Sequence, residues 1–332
     1  MTARVAINGF GRIGRGVLRA IMEQGSDLEV VAINDLTDAA TLAHLLARDS
    51  VYGKAPFDVS VDGDVLIVGE RRIKIFAEQD PSQLPWGELK VDVVLESTGH
   101  FTSRKGASKH LEAGARRVLV SAPAKGADLT VVLGVNDDKF DAATHTIVSN
   151  ASCTTNALAP LAKVLDDLAG IEQGFMTTVH AYTHDQRLVD APHSDLRRAR
   201  SAALNIVPSS TGAAAAIGLV LPNLDGKLSG DSLRVPVPVG SIVELNAIVA
   251  REVTRDEVLA AYRAAAGGPL NGVLEYSEEP LVSSDIVGNA HSSIFDSELT
   301  RVSGKMVKVV AWYDNEWGFS NRAAQALEML AA

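Results

Sequence analysis

The chain has 332 residues, of which 46% are hydrophobic and 22% charged, and its formal net charge is −10 at pH 7. This length exceeds what one hydrophobic core usually serves, so we expect two domains, and the composition excludes a disordered or fibrous protein. The acidic balance argues against a nucleic-acid-coating surface, because such a surface needs a basic stripe.

The sequence contains no pattern typical of a targeting or membrane-spanning segment. The N-terminal residues run directly into a strand pattern without a basic region or an apolar signal segment. The longest run of small and apolar residues, 213–221, is far too short to cross a bilayer. A single cysteine, Cys153, excludes an intrachain disulfide and suits a reducing compartment. We therefore predict a cytoplasmic protein that binds no membrane and no metal.

The first half of the chain alternates strand and helix patterns. A buried-strand pattern at 4–8 leads into a glycine turn and a helical stretch at 15–24, and a second apolar strand follows at 29–34. Together they form a β-α-β unit. Further strand candidates are 65–68, 91–96, 118–121, 130–134 and 146–149. The pattern predicts an α/β fold with a Rossmann-type, doubly wound parallel sheet.

After residue 150 the strand patterns become longer and alternate in hydrophobicity. The segments are 175–182, 232–239, 243–249 and 306–313. They predict an α+β domain with a mostly antiparallel or mixed sheet. Helices are expected at 254–266, where Thr254 and Glu257 have capping-box spacing, and at 321–330. A polar loop candidate at 183–204 has a length that often serves function.

A dinucleotide motif joins the first strand to the first helix. The motif reads Gly9-Phe10-Gly11-Arg12-Ile13-Gly14. Such a string by itself is weak evidence for a dinucleotide site. Its place between a strand and a helix strengthens the prediction, because glycines there let the backbone approach a pyrophosphate closely. Asp35 ends the second strand, where a carboxylate can bind an adenosine ribose and repel a 2′-phosphate, so NAD is favoured over NADP. Asp35 is also a candidate helix cap before Thr37, a role that is compatible with ribose binding.

The one cysteine lies where a helix is expected to begin. Cys153 follows a strand and precedes the helical run 157–168, so helix-start N–H groups should lower the pKa of its thiol. Most lone cysteines are inert core residues. His180, in the strand pattern 176–182, is a candidate base, although strand histidines are more often structural and spacing alone cannot place this one beside the thiol.

The two sites together narrow the reaction. A thiolate converts an aldehyde into a hemithioacetal, whose carbon donates hydride to a nicotinamide and leaves a thioester that needs an acceptor. A second anion site is therefore expected. The segment 209–212 before the helical run 213–221 offers hydroxyls and helix-start N–H groups for phosphate, or is simply a helix cap.

From end to end, the sequence resembles the glyceraldehyde-3-phosphate dehydrogenase family. The matching blocks, in the family's order, are INGFGRIGR, INDLTD, LESTG, VLVSAPAKGAD, SNASCTTNALAP, HAYT, DLRRAR, PSSTGAAAA, LSGDSLRVP and WYDNEWGFSNR. The resemblance implies a glycolytic, NAD-dependent, phosphorylating enzyme that converts D-glyceraldehyde 3-phosphate to 1,3-bisphosphoglycerate. It also implies an NAD-binding domain at 1–152 with a returning helix at 316–332, a catalytic domain at 153–315, and a homotetramer in which the 183–204 loop meets a neighbouring subunit's cofactor.

The resemblance also assigns roles to individual residues. Cys153 would form the hemithioacetal and thioester, with His180 as its base. The residues assigned to the cofactor are Gly9, Gly11, Arg12, Ile13, Asp35, Gln79, Ser121 and Asn315. Those assigned to the substrate's C3 phosphate are Thr183 and Arg234, and those assigned to the attacking phosphate are Ser152, Thr154, Arg198, Thr211 and Gly212.

Three positions depart from the family pattern, and two other functions remain open. Gln79 stands where arginine is common, His184 where a small polar residue is common, and Ala215 where lysine is common. We expect these departures to have modest kinetic effects.

Leu36 and Pro192 occupy positions where NADP-using relatives tend to have small hydroxyl residues, and this difference supports NAD as the cofactor. The alternatives are an erythrose-4-phosphate dehydrogenase and a Rossmann protein that binds NAD without catalysis.

Overall fold

The computed structural model describes residues 2–332, which divide into two compact units. The first comprises the chain up to Val131, Asp138–Ala151 and Ser320–Ala332. The second comprises Val132–Asp137 and Ser152–Phe319. The sequence-based division at 152–153 lies one residue from this boundary and assigns 132–137 to the first domain instead of the second.

The first unit contains a nine-stranded, mostly parallel sheet. Its strands, with the separate hairpin β3–β4, are β1 (Arg4–Asn8), β2 (Glu29–Asn34), β3 (Arg48–Asp49), β4 (Gly53–Lys54), β5 (Val59–Asp62), β6 (Val65–Val68), β7 (Arg71–Phe76), β8 (Val93–Glu96), β9 (Arg117–Val120), β10 (Leu129–Thr130) and β11 (Ile147–Ser149). Its helices are α1 (Arg12–Glu23), α2 (Ala39–Ala47) and α3 (Arg104–Glu112). The strand order is β10-β11-β9-β8-β1-β2-β7-β6-β5, and pairing is antiparallel between β5, β6 and β7.

The central strands explain why this sheet forms. β8 and β9 are buried at every residue, and β1 and β2 at all but their first, which is the near-continuous apolar pattern of a parallel sheet covered on both faces. The parallel α/β prediction for this half is confirmed. Because the strands run parallel, their carboxyl ends meet at one edge, where ligands of such sheets bind. The glycine motif, Asp35 and Ser121 follow three of these strands.

One strand prediction in this half is wrong beyond its first residue. The pattern at 130–134 is a strand only to Thr130, because the chain then turns. The N–H of Val132 donates to the Asn136 side chain at 2.8 Å, and the N–H of Gly134 donates to the Asp137 carboxylate at 2.7 Å. Gly134 also has a φ of +80°, a left-handed conformation that ends extended structure.

The second unit is built on an eight-stranded mixed sheet. Its strands are β12 (Ile171–Ala181), β13 (Val207–Ser210), β14 (Leu228–Val235), β15 (Ser241–Val249), β16 (Leu274–Ser277), β17 (Ser293–Asp296), β18 (Arg301–Ser303) and β19 (Met306–Tyr313). Its helices are α4 (Cys153–Ala169), α5 (Ala213–Val220), α6 (Arg255–Ala266) and the start of α7 (Trp317–Ala331). The order is β13-β14-β12-β15-β19-β17-β16, with β18 beside β19. Parallel pairs are β12–β14 and β16–β17, so the predicted mixed sheet is confirmed.

Local sequence signals account for several boundaries in this unit. The capping box of α6 is confirmed, since Thr254 accepts from the N–H of Glu257 and the Glu257 carboxylate accepts from the N–H of Thr254. The last helix begins four residues before its predicted start, and β13 was missed because its proline and serines look like a turn. Tyr262 of α6 stacks on Phe295 of β17 with 4.0 Å between ring centroids, which anchors that helix to the sheet.

Residues 182–206 form no helix or strand beyond an isolated bridge between Arg187 and Ser201. The predicted long loop is confirmed. Within residues 2–332, no helix combines the length and apolarity needed to cross a membrane.

Candidate active site

The glycine motif of the first unit forms a turn that only glycine tolerates at two positions. Gly9 has a φ of +92°, and a Cβ there would lie 2.6 Å from the Thr98 backbone nitrogen. A Cβ on Gly14 would lie 2.3 Å from the Gly9 carbonyl oxygen, whereas one on Gly11 would meet nothing within 4 Å. Helix α1 therefore starts beside open space, and its cap residue Gly11 supplies no side-chain acceptor to the first-turn N–H groups. Uncapped N–H groups facing open space fit a pyrophosphate.

Asp35 braces this turn from the end of β2. Its carboxylate accepts from the N–H of Phe10 at 2.8 Å and from the N–H of Thr37 at 2.9 Å. The side-chain cap of helix α2 is Asp38, which accepts from the N–H of Thr41. The prediction that Asp35 also caps a helix is therefore wrong.

The remaining residues assigned to the cofactor lie in different surroundings. Arg12 forms an ion pair with Asp49 at 2.9 Å, and Ser121 donates its hydroxyl to the Glu96 carbonyl at 3.1 Å. Ile13 is half-buried and Gln79 exposed. Asn315 belongs to the second unit, where its side-chain oxygen accepts from Gly240 N–H and the Ser241 hydroxyl.

Cys153 is the first residue of helix α4, as predicted. The hydroxyl of Ser152 caps the helix by accepting from the N–H of Thr155 at 3.0 Å. Ala151, immediately before the cap, has a φ of +56°, a strained value for a residue with a Cβ. The thiol Sγ lies 3.4 Å from Nε2 of His180. The structure thus joins the two residues that sequence spacing could not bring together.

His180 is held by groups on both sides of its ring. It is 2% exposed, and Nδ1 lies 2.7 Å from the Ala181 carbonyl oxygen. With a proton on Nδ1 donated to that carbonyl, the lone pair of Nε2 faces the thiol, as a base requires. Strands β12 and β14 pair His180 with Arg234, and Nη1 of Arg234 lies 2.6 Å from Nδ1.

These surroundings correct the expected electrostatics of the thiol. Burial raises the pKa of Cys153 above its ordinary value, and it outweighs the Arg234 cation and the hydrogen bonds from Thr154, which act in the other direction. Burial, reinforced by Arg234, lowers the pKa of His180 to about 3. The helix-start N–H groups act on the thiol pKa in the expected direction, but burial acts more strongly. Both shifts favour the uncharged forms of the thiol and the imidazole in the chain without ligand.

Sequence reasoning missed Tyr313, which ties the elements of the site together. Its hydroxyl lies 2.9 Å from that of Thr154 and 2.8 Å from that of Thr178, and its ring meets His180 edge-on at 5.8 Å. Burial raises the pKa of Tyr313 well above its usual value, so the phenol stays protonated. The inward position of Tyr313 in the alternating strand β19 was the only available signal.

The predicted phosphate-binding residues form two groups in the second unit. Thr154 and Arg234 contact the thiol–imidazole pair or its immediate support. Arg198 instead forms an ion pair with Asp185 and donates to the Ser210 carbonyl at 2.9 Å.

The segment that follows Ser210 leads into helix α5. Thr211 accepts from the N–H of Ala213 at 3.1 Å, and Gly212, the cap residue of the helix, makes no side-chain cap. The backbone N–H and the hydroxyl of Thr183 both donate to Oε1 of Gln186, at 2.7 and 3.3 Å. Sequence reasoning also missed Asp185, because its ion-pair partner Arg198 lies 13 residues further along the loop.

Comparisons with known proteins point to one family. The family model described as "Glyceraldehyde 3-phosphate dehydrogenase, NAD binding domain" matches residues 3–104, and the one described as the "C-terminal domain" of the same enzyme matches residues 152–315. A glyceraldehyde-3-phosphate dehydrogenase of Kitasatospora aureofaciens is 73% identical over 99% of each chain. A glyceraldehyde-3-phosphate dehydrogenase 2 of Streptomyces arenae is 60% identical over 97% of this chain and 96% of the relative. One of Mycobacterium avium is 59% identical over 99% of each.

Proposed function

Because the chain belongs to the glyceraldehyde-3-phosphate dehydrogenase family and is an NAD-dependent dehydrogenase, we propose that it oxidises D-glyceraldehyde 3-phosphate to 1,3-bisphosphoglycerate with inorganic phosphate as acceptor. The observation that carries this proposal is the 3.4 Å separation between Sγ of Cys153 and Nε2 of His180. That distance lets one proton pass from a nucleophile to a base. The full-length identity to dehydrogenases of this name disfavours both alternatives, the erythrose-4-phosphate enzyme and the non-catalytic protein.

The first step uses only groups of the second unit. Nε2 of His180 takes the thiol proton as Sγ of Cys153 bonds to the aldehyde carbon, and the imidazolium returns a proton to the former carbonyl oxygen. The product is a hemithioacetal. N–H groups at the start of α4 are available to that oxygen while it carries charge.

Oxidation then removes hydride from the same carbon. NAD, when bound, supplies the nicotinamide ring that accepts this hydride. His180 takes the hydroxyl proton as the C=O bond re-forms, which leaves a thioester on Cys153. An oxygen of inorganic phosphate attacks the thioester carbon, the C–S bond breaks, and the thiolate recovers its proton from the imidazolium.

The positively charged side chains support a phosphate-bearing substrate and a phosphate acceptor. We assign Arg234 and Thr183 to the C3 phosphate, and Arg198, Thr211 and Gly212, with Ser152 and Thr154, to the acceptor. Arg234 is partly buried and lies against the base, and Arg198 lies beside the start of α5, where Gly212 leaves N–H groups without a side-chain cap.

NAD binding is assigned to the turn of the first unit, and Asn315 of the second unit is assigned to the cofactor by the resemblance alone. Gly9, Gly11, Arg12 and Ile13 belong to the pyrophosphate turn, and Asp35 suits a ribose with a free 2′-hydroxyl. Gln79 and Ser121 complete the assigned set. The NAD preference is tested by comparing kcat/KM for NAD and NADP, and equal values would contradict the role given to Asp35.

A homotetramer in the cytoplasm is part of the same proposal. Large apolar side chains are exposed along the 182–206 loop and on β12, which is typical of a surface that other subunits cover. They are Phe175, Leu188, Val189, Leu196, Leu204 and Ile206, each at least 66% exposed. Sedimentation analysis tests the tetramer.

One assay tests the proposed reaction. NADH formation from D-glyceraldehyde 3-phosphate is measured with and without inorganic phosphate, with erythrose 4-phosphate as the competing aldehyde. We expect sustained turnover only with phosphate and a higher kcat/KM for the triose. Turnover that is indifferent to phosphate would contradict the proposal.

A further inference from the structure

The hydroxyl of Ser241 joins two parts of the second unit that the proposed mechanism uses separately. Ser241 is the first residue of β15 and is 1% exposed. Its Oγ atom accepts at 3.1 Å from the N–H of Ala181, the residue after the base His180, and donates at 3.0 Å to Oδ1 of Asn315. One buried hydroxyl therefore links the strand of the base to a side chain that is assigned to the cofactor.

The direction of each hydrogen bond in this chain is fixed by chemistry. The backbone nitrogen of Gly240 lies 3.2 Å from the same atom of Asn315, and because an N–H can only donate, that atom must be the side-chain oxygen. An amide oxygen can only accept, so the single proton of the Ser241 hydroxyl is donated to Asn315. A lone pair of Oγ is then left for the N–H of Ala181. Because each bond polarises the next, the three groups support one another.

This orientation leaves the amide nitrogen of Asn315 as the group that can bind a ligand. Within residues 2–332, Oδ1 accepts from two donors, whereas Nδ2 donates to no group of the chain. An amide nitrogen carries two N–H donors and suits an acceptor such as a carbonyl oxygen. If the amide were turned over, the N–H of Gly240 and the N–H groups of Asn315 would face each other as donors. The contacts of Oδ1 thus select which end of the amide a ligand meets.

The two ends of the hydrogen-bonded chain differ in how firmly they are held. Ala181 is fully buried and belongs to the parallel register of β12 and β14, where it is paired with Val235. Asn315 follows the end of β19, and among residues 2–332 its side chain is held by hydrogen bonds from Gly240 and Ser241 alone. The bond from Ser241 is the shorter of these two. The hydroxyl therefore takes its orientation from the sheet and imposes it on Asn315.

We propose that Ser241 is a positioning residue for cofactor binding, which holds the amide of Asn315 with its N–H groups presented to an acceptor on NAD. The inference rests on the proposed function, because that function assigns Asn315 to the cofactor. Ser241 acts on NAD only through Asn315. The base keeps its own support, since Nδ1 of His180 lies 2.7 Å from the Ala181 carbonyl oxygen, which is not part of the chain of hydrogen bonds through Ser241.

The test measures NAD binding by calorimetry in the full chain, without aldehyde or phosphate, so that turnover plays no part. Ser241→Ala removes the hydroxyl and leaves Oδ1 of Asn315 with one donor. We expect the Kd for NAD to rise about threefold to tenfold, the range given by the loss of one hydrogen bond between neutral groups. An unchanged Kd in Ser241→Ala, in a chain where Asn315→Ala weakens NAD binding, would overturn the inference.

Ser232→Ala is the matched control. Ser232 lies in the same sheet and is also 1% exposed, but its hydroxyl makes no hydrogen bond within residues 2–332. Its removal therefore costs no partner, and the Kd for NAD should change by less than about twofold. An equal rise of the Kd in both serine variants would show that any buried hydroxyl of this sheet has the effect, which contradicts a specific role for Ser241.

A double-mutant cycle tests whether Ser241 acts through Asn315. Asn315→Ala alone should weaken NAD binding, and adding Ser241→Ala to it should change the Kd by no more than about twofold. A further threefold to tenfold loss in the double variant, of about the size seen for Ser241→Ala alone, would show that Ser241 affects NAD by another route. That result would overturn the inference.

A second pair of variants separates the hydroxyl from the size of the side chain. Threonine and valine have nearly the same shape, and only threonine has a hydroxyl. Ser241→Thr should therefore bind NAD about threefold to tenfold more tightly than Ser241→Val. A purely structural role would change the stability of the two variants and leave their NAD affinities alike. This pair also decides the question if Ser241→Ala fails to fold.

These outcomes are separable from those of the proposed function. If Asn315→Ala leaves NAD binding unchanged, the assignment of Asn315 to the cofactor is wrong and the inference falls with it, whereas the phosphate assay still decides the proposed reaction. If NADH formation does not depend on phosphate, the proposed reaction is wrong, and the cycle of Ser241 and Asn315 still decides the inference.

Discussion

A buried polar network under the glycine turn gives the first unit a testable weak point. Glu96, at the end of β8, is 1% exposed and accepts from Asn8 Nδ2 at 2.6 Å, from His110 Nε2 at 2.9 Å and from the N–H and hydroxyl of Thr98. The indole N–H of Trp86 donates to Nδ1 of His110 at 3.0 Å. Nδ1 of this fully buried histidine therefore accepts from Trp86 while Nε2 faces Glu96, and replacing the imidazole leaves two buried groups short of hydrogen bonds.

We predict that His110→Ala lowers the free energy of opening of the first unit by about 3–5 kcal/mol. The indole N–H of Trp86, which is 0% exposed, loses its acceptor, at a cost of about 1–3 kcal/mol for an unsatisfied buried group. Glu96 loses one of four donors, and a hydrogen bond to a charged group contributes about 1.5–3 kcal/mol. The void left by the ring adds to both losses.

Hydrogen exchange of amides in β1 and β8 measures this effect, because it reports opening of one unit in a chain whose unfolding need not be two-state. The matched control is His100→Ala in the same unit, where the side chain is exposed and a change within about 0.5 kcal/mol is expected. If His110→Ala changes the opening free energy by no more than this control, the network does not stabilise the unit as argued.

Three further predictions address the two sites. Gly14→Ala places a Cβ 2.3 Å from the Gly9 carbonyl oxygen. We therefore expect NAD affinity, measured by calorimetry, to fall at least about tenfold, or about 1.4 kcal/mol. Gly11→Ala is the control, because a Cβ there meets no atom within 4 Å and NAD affinity should change much less. Cys153→Ser should bind NAD yet lose turnover by at least about 1,000-fold because an alcohol is a far weaker nucleophile than a thiol; near-normal turnover would end the thioester mechanism. The rate at which iodoacetamide alkylates the single cysteine, measured without substrate, should rise with pH through a midpoint above the ordinary pKa of a thiol. The reason is that a raised pKa leaves less thiolate at neutral pH. A midpoint below the ordinary value would show that the helix start outweighs burial.

The sequence predicted those features that local chemistry determines. The glycine turn, the capping box at Thr254 and the helix start at Cys153 each depend on a few consecutive residues, and the structure has all three. The assignment of Asp35 as an additional helix cap failed because two aspartates lie three residues apart. Only the structure shows that Asp38 is the cap while Asp35 binds the turn of the preceding strand.

Contacts between distant segments explain what the sequence could not supply. Nothing in the spacing of Cys153 and His180 indicates a 3.4 Å contact, because it arises from the packing of α4 against the mixed sheet. The parallel register of β12 and β14 then sets Arg234 beside the imidazole, and β19 brings Tyr313 against it. The same packing partly buries Cys153, and burial raises the pKa of its thiol against the effect of the helix-start N–H groups. A helix start is thus only one of the influences on this thiol, and in this fold burial acts on its pKa more strongly than the helix-start N–H groups do.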